Sequence, residues 1–221
     1  YKPPFIQRPY GSDLPKEPAA LPNEWMGYQR TFPYGKIKQD NYLTAIRNAQ
    51  ELHSSNGERD LEWISLGPEN IGGRITDLAC NHQEPATVYI ATASGGIYKT
   101  TDTGLTWQQI FTDAPVISIG DIALDPNNSM VIYAGTGEAN ASSYSFLGDG
   151  LWKSTDGGES WTHSGLESSA YIARIIVDYN NSDRVFAAAC GTLFSSSSER
   201  GVYRSADGGE SWEQVLFLTD S

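Results

Sequence analysis

Positive charge is scarce over most of this chain. From Leu61 onward seven Lys and Arg face twenty Asp and Glu, whereas up to Asp60 eight basic residues nearly balance seven acidic ones. A formal net charge of −12 repels phosphate backbones and anionic lipid, so nucleic acid and membrane surfaces are not expected partners. Long apolar runs are missing too: nothing approaches the ~18 continuous apolar residues of a transmembrane helix, and no membrane insertion is expected. The N-terminus lacks the basic-then-apolar pattern of a signal peptide, so an exported protein is expected here in processed form. Cysteine and histidine are few. Cys80 and Cys190 each close a strand-like run, and His53, His82 and His163 are scattered. No Cys/His spacing suits zinc, so neither a metal nor a cofactor is expected. Disulfide pairing and burial as two small core residues both remain open for the cysteines.

Glycine and aromatic residues are plentiful, and they recur in register. Ser154-Thr155-Asp156-Gly157-Gly158-Glu159-Ser160-Trp161 returns as Ser205-Ala206-Asp207-Gly208-Gly209-Glu210-Ser211-Trp212, and more loosely as Thr100-Thr101-Asp102-Thr103-Gly104-Leu105-Thr106-Trp107. Each copy follows a short apolar run opened by glycine: Gly96-Ile97-Tyr98, Gly150-Leu151-Trp152 and Gly201-Val202-Tyr203. A period of roughly 50 residues built as strand, tight turn, strand points to a propeller or solenoid. The Asp side chain can accept from backbone N–H groups just ahead of it, and Gly supplies positive φ. The Trp then opens the next strand and can fold over the turn.

This turn resembles the Asp-box of the bacterial neuraminidase repeat propellers. The resemblance implies an all-β fold of four-stranded blades, with Asp102, Gly104, Trp107, Asp156, Gly158, Trp161, Asp207, Gly209 and Trp212 as structural turn residues. Acid–base chemistry by the three Asp is rejected, because three near-identical copies would require three active sites.

Residues 1–38 read as an extended arm rich in proline and aromatics, expected to lie against a surface. Residues 39–60 read as a helix and connector. Asp40 caps a helix to about Ser54, with Tyr42, Leu43, Ile46, Ala49 and Leu52 on one face, expected to pack on the chain's own propeller. Residues 61–221 read as propeller blades. Trp63-Ile64-Ser65-Leu66 resembles a fourth strand without its Asp-box. Three repeats follow, with first strands at 73–80, 116–124 and 170–178 and second strands at 87–93, 130–136 and 184–189. Three blades and one strand do not close a ring, since propellers need four to eight. The remaining blades are expected in the same longer polypeptide or in a partner chain.

In an up-and-down blade the Asp-boxes share one face with the first-to-second turns, and the longer variable loops share the other. On that loop face Arg74, Tyr144, Phe146 and Arg200 are candidates for ligand binding, and Glu138 and Asp149 are the weaker candidates for catalysis. Carboxylates with aromatics suit a sugar, and two carboxylates can hydrolyse a glycoside. The favoured reading is that these two carboxylates cap their own loop's backbone, with Arg74 and Arg200 offsetting the local acid.

Leu66-Gly67-Pro68-Glu69-Asn70-Ile71-Gly72-Gly73-Arg74-Ile75, with Ala91-Thr92-Ala93-Ser94-Gly95-Gly96-Ile97-Tyr98-Lys99-Thr100, is similar to large secreted sortilin-like or glycosyl-hydrolase propellers common in Bacteroidota. That likeness spans about residues 25–221 and implies type IX secretion. Related xyloglucanases place their catalytic base in a Thr-Asp-x-Gly-Gly run, and here Ala93 and Ser94 stand between Thr92 and Gly95. The sialidase set, which includes Arg-Ile-Pro, is incomplete, since Thr76 follows Arg74-Ile75. The sequence therefore favours a secreted or cell-surface module that binds a glycan or protein opposite the Asp-boxes. Two alternatives stand beside it: a xyloglucanase- or sialidase-like glycoside hydrolase with part of its site in further blades, and secretion cargo or a component of a larger surface assembly.

Overall fold

The computed structural model describes residues 24–55, 73–112, 114–140 and 145–217. Two helices, α1 (Glu24–Thr31) and α2 (Gln39–Ser55), precede twelve strands. Blade 1 comprises β1 (Ile75–Cys80), β2 (Val88–Thr92), β3 (Ile97–Thr100) and β4 (Gln108–Gln109). Blade 2 comprises β5 (Ile119–Leu124), β6 (Ile132–Thr136), β7 (Leu151–Ser154) and β8 (Thr162–His163). Blade 3 comprises β9 (Ile172–Asp178), β10 (Asn181–Cys190), β11 (Arg200–Ser205) and β12 (Glu213–Phe217). Each blade is an antiparallel sheet with its strands in sequence order. The all-β propeller architecture expected from the repeat is the one observed.

The repeat turn works as its composition requires. Asp102 accepts from the Thr106 N–H at 2.9 Å, the Thr106 hydroxyl at 2.6 Å and the Thr100 hydroxyl at 2.7 Å. Asp156 and Asp207 repeat this set with Ser154 and Ser160, and with Ser205 and Ser211. These bonds, the side-chain hydroxyl first, hold the Asp102 and Asp207 carboxyls down at about 2. Gly158 and Gly209 sit at φ +93, a conformation that disfavours a side chain, and a Cβ at Gly158 would run into Ile110 of blade 1.

The core lies between blades. Tyr89, Phe111, Ile122 and Ile132 pack with Trp152 and Trp161 at the first joint, and Tyr133, Leu151, Ile175 and Val185 pack with Trp212 at the second. Polar contacts repeat at both joints. Trp161 Nε1 donates to the Ile110 carbonyl at 2.9 Å, and Trp212 Nε1 to the Ser164 carbonyl at 2.6 Å. The Gly157 carbonyl accepts from Lys99 Nζ and the Tyr89 hydroxyl, as the Gly208 carbonyl does from Lys153 and Tyr133. On the innermost strands Asp77 accepts from the Ile122 N–H, and Asp121 from the Ile175 N–H. The turn is therefore a connector to the preceding blade as well as a hairpin.

Two expectations about the N-terminal region change. The arm read as extended to residue 38 holds α1, because Pro22 and Pro33 bracket a proline-free stretch long enough for two turns. α2 has the predicted span, but only its first half packs: Gln39 and Leu43 are buried, while Ala49 and Leu52 are exposed. Gln39 Nε2 anchors that half by donating to the Gly148 and Glu167 carbonyls at 3.0 and 2.9 Å. Cys80 and Cys190 are both free thiols. The proline-rich segment before Glu24 and the strand read at Trp63–Leu66 lie outside the described residues.

Candidate functional site

The loop face is formed by the turns between second and third strands, the connections between blades, and the two helices laid over blades 2 and 3. One polar cluster on this face joins two blades. Glu138, at the end of β6, is fully buried and meets Arg74, at the start of β1, through two contacts of 3.0 and 2.8 Å. The Asn140 N–H and the Ser145 hydroxyl also donate to Glu138. Arg30 of α1 donates to the Ser145 carbonyl at 2.6 Å, which ties the helix to the same loop.

The other candidates are placed separately. Asp149 is buried and accepts from Trp152 Nε1 at 2.9 Å, while its own N–H donates to the Thr136 hydroxyl. Arg200 donates to the carbonyls of Cys190, Thr192 and Ser195 and so closes the blade 3 loop. Tyr144 lies outside the described residues. Of the sequence candidates the structure brings Arg74 and Glu138 together. It sets Asp149 and Arg200 into their own blades, each with its polar atoms engaged.

Phe146 occupies a different position. It is 46% exposed and lines a cavity of about 240 Å³ with Tyr42, Ser94, Pro115, Val116, Ile117, Ser118 and Leu147. One aromatic ring comes from α2 and one from the long loop of blade 2. Ser94 comes from the glycine run of blade 1. Ser118 is buried, and its Oγ has no hydrogen-bond partner. An apolar cleft with aromatic walls and a few polar groups is the usual form of a small-ligand site. Sequence reasoning missed Tyr42 as a lining residue because its spacing marks it as part of the helix stripe. Ser94 was read only as part of the glycine run, and Ser118 carries no motif.

A second titratable cluster lines the inner strands. Arg174 Nη1 lies 3.0 Å from Asp121 Oδ1 and 3.8 Å from Asp77 Oδ1. Burial, followed by the Asp77 charge, pushes the Asp121 carboxyl up to about 7 against the opposing Ile175 N–H and Arg174. The signal available in the sequence was positional: Asp77, Asp121 and Arg174 fall at the same place in successive repeats.

No protein-family model matches the chain. A xyloglucanase of Acetivibrio thermocellus is 28% identical over 175 residues, which are 64% of this chain and 20% of that protein. A xyloglucanase of a Paenibacillus species is 26% identical over 173 residues, 64% of this chain and 16% of that protein. Among solved structures, an ancestral GH74 enzyme superposes with a TM-score of 0.58 at 27% identity, covering 72% of this chain and 20% of that one. The chain thus spans about one fifth of the length of the relatives it matches. These likenesses agree with the β-propeller architecture. They support the glycoside-hydrolase alternative better than the binding-module reading.

Proposed function

We propose that the chain forms blades of a secreted or cell-surface propeller that acts on β-linked plant-type glucans, with a sugar unit seated in the Tyr42–Phe146 cavity. The cavity carries the reading. It is open on the loop face, is walled by two aromatic rings, has hydroxyls at Ser94 and Ser118, and includes part of the run at residues 92–96 that resembles the xyloglucanase glycine motif. Within that run Ala93 and Ser94 leave no carboxylate beside the glycines. Glu138 and Asp149 act as loop anchors on this reading. Any hydrolytic acid and base are therefore carried by blades beyond these three, in the same longer polypeptide. On this reading the propeller is of the sortilin-like kind common in Bacteroidota and leaves the cell by type IX secretion.

The test is a calorimetric titration of xyloglucan oligosaccharides into the chain and into Phe146→Ala, with reducing-end release measured in parallel. Removing the ring is expected to weaken binding by about 1–2 kcal/mol, roughly tenfold in Kd. The chain alone is expected to release no reducing ends. Binding that is unaffected by Phe146→Ala contradicts the site. A second reading, a glycan-binding scaffold without hydrolysis, is favoured by Ala93. It predicts that reducing-end release stays absent in the whole protein from its source as well.

A further inference from the structure

The two blade joints are built from one set of groups, and the two open flanks of the three-blade unit do not match. At each joint the earlier blade presents an Asp on its first strand, a Tyr on its second and a Lys on its third. It also presents the carbonyl of the residue three past the repeat Trp. Asp77, Tyr89, Lys99 and Ile110 serve the first joint, and Asp121, Tyr133, Lys153 and Ser164 the second. The later blade returns a first-strand N–H, a turn carbonyl and the Trp indole N–H.

Blade 1 carries the receiving half on its outer flank, and no other blade among the described residues is seated there. Leu78, the counterpart of Ile122 and Ile175, is 55% exposed, whereas those two are 4% and 2% exposed. Trp107, the counterpart of Trp161 and Trp212, is 42% exposed. Leu105, on the same turn, is also exposed. Blade 3 has lost the presenting half at three places. Arg174 stands where Asp77 and Asp121 stand, and its guanidinium turns back to both. Phe186 replaces the Tyr and lacks its hydroxyl, and Arg204 replaces the Lys and pairs with Glu213 at 2.8 Å.

We infer that the outer flank of blade 1 is the receiving half of a third joint of the same kind. Its occupant is a blade of the same longer polypeptide that presents an Asp, a Tyr and a Lys at the corresponding strand positions. Continuity with the two existing joints fixes this chemistry, and the relatives' much greater length favours a blade on the same polypeptide. A second copy of this chain does not fit, because its blade 3 offers Arg174, Phe186 and Arg204 instead. This inference is independent of what the loop face binds.

Hydroxyl-radical footprinting with mass spectrometry tests it, comparing the 221-residue chain with the whole protein isolated from its source. In the chain, Trp107 and Leu105 are expected to oxidise several-fold faster than Trp161 and Trp212. In the whole protein that excess disappears. A photo-crosslinking residue at Leu105 is expected to capture a peptide of the same polypeptide that contains the Tyr and Lys. Sedimentation of the chain alone is expected to show a monomer. Equal oxidation of Trp107 in both samples overturns the inference, as does capture of a separate polypeptide or a head-to-tail ladder of copies.

Discussion

Asp121 is held by burial at about 7, well above the ordinary carboxyl range, with Asp77 adding to the rise. A folded-state value above the unfolded one means that the native protein holds the proton more tightly. The stability from this group is complete below about pH 4 and is lost as pH rises toward 7. The Asp turns act in the opposite sense. The Asp102 and Asp207 carboxyls sit at about 2, so their contribution is present above about pH 4 and is lost as pH falls toward 2. Urea unfolding across pH is expected to show a maximum near pH 4–5. Asp121→Asn, which keeps an acceptor for the Ile175 N–H, is expected to flatten the neutral side of that curve and leave the acid side unchanged. A neutral limb as steep in the variant as in the parent contradicts the assignment. Glu138 is a second test at this scale. It is buried against a half-exposed Arg74 and two further donors, so Glu138→Gln is expected to lower stability by about 2 kcal/mol in urea unfolding. Loop-face binding should survive that change.

The repeat tryptophans separate hairpin from joint. Trp161→Phe leaves the Ile110 carbonyl without its donor inside a packed contact, at a cost of about 1–2 kcal/mol. Trp107→Phe removes a half-exposed indole and is expected to change stability by less than about 0.5 kcal/mol in this chain. Equal effects in urea unfolding would contradict the joint as described. This difference shows where the sequence was readable. Asp156, Gly158 and Trp161 sit within eight residues, and their chemistry is local, so strands and turns could be read directly. That Trp161 also serves blade 1 could not, since its acceptor lies 51 positions away. α1 was hidden by the prolines on either side, whose signal for extended chain outweighs that of a helix of 8 residues. The outer half of α2 carries an apolar stripe at helical spacing, yet periodicity does not say where its supporting surface ends. Among site residues, Phe146 was legible as an aromatic in a long loop. Glu138 and Asp149 read as candidate acids because exposure is invisible in sequence, and only the fold shows them buried and hydrogen-bonded.

The described residues form an acidic three-blade unit with a helix-covered loop face and two unlike flanks. Excess acid over the blades disfavours polyanions and leaves a neutral sugar as a compatible ligand for an aromatic cavity. Two cavities of similar size compete for that role. The second, about 250 Å³, lies on the Asp-turn face and is lined by residues that include Cys80, Asn81, His82, Asp125 and Ser129. It has no aromatic wall other than the His82 ring, and on this account it stays empty of sugar. The most direct test is an NMR titration of the isotope-labelled chain with a xyloglucan oligosaccharide, mapped residue by residue. The account predicts saturable shifts at Tyr42, Ser94, Ser118 and Phe146. Shifts gathered around His82 and Asp125, or none at millimolar sugar, would contradict it.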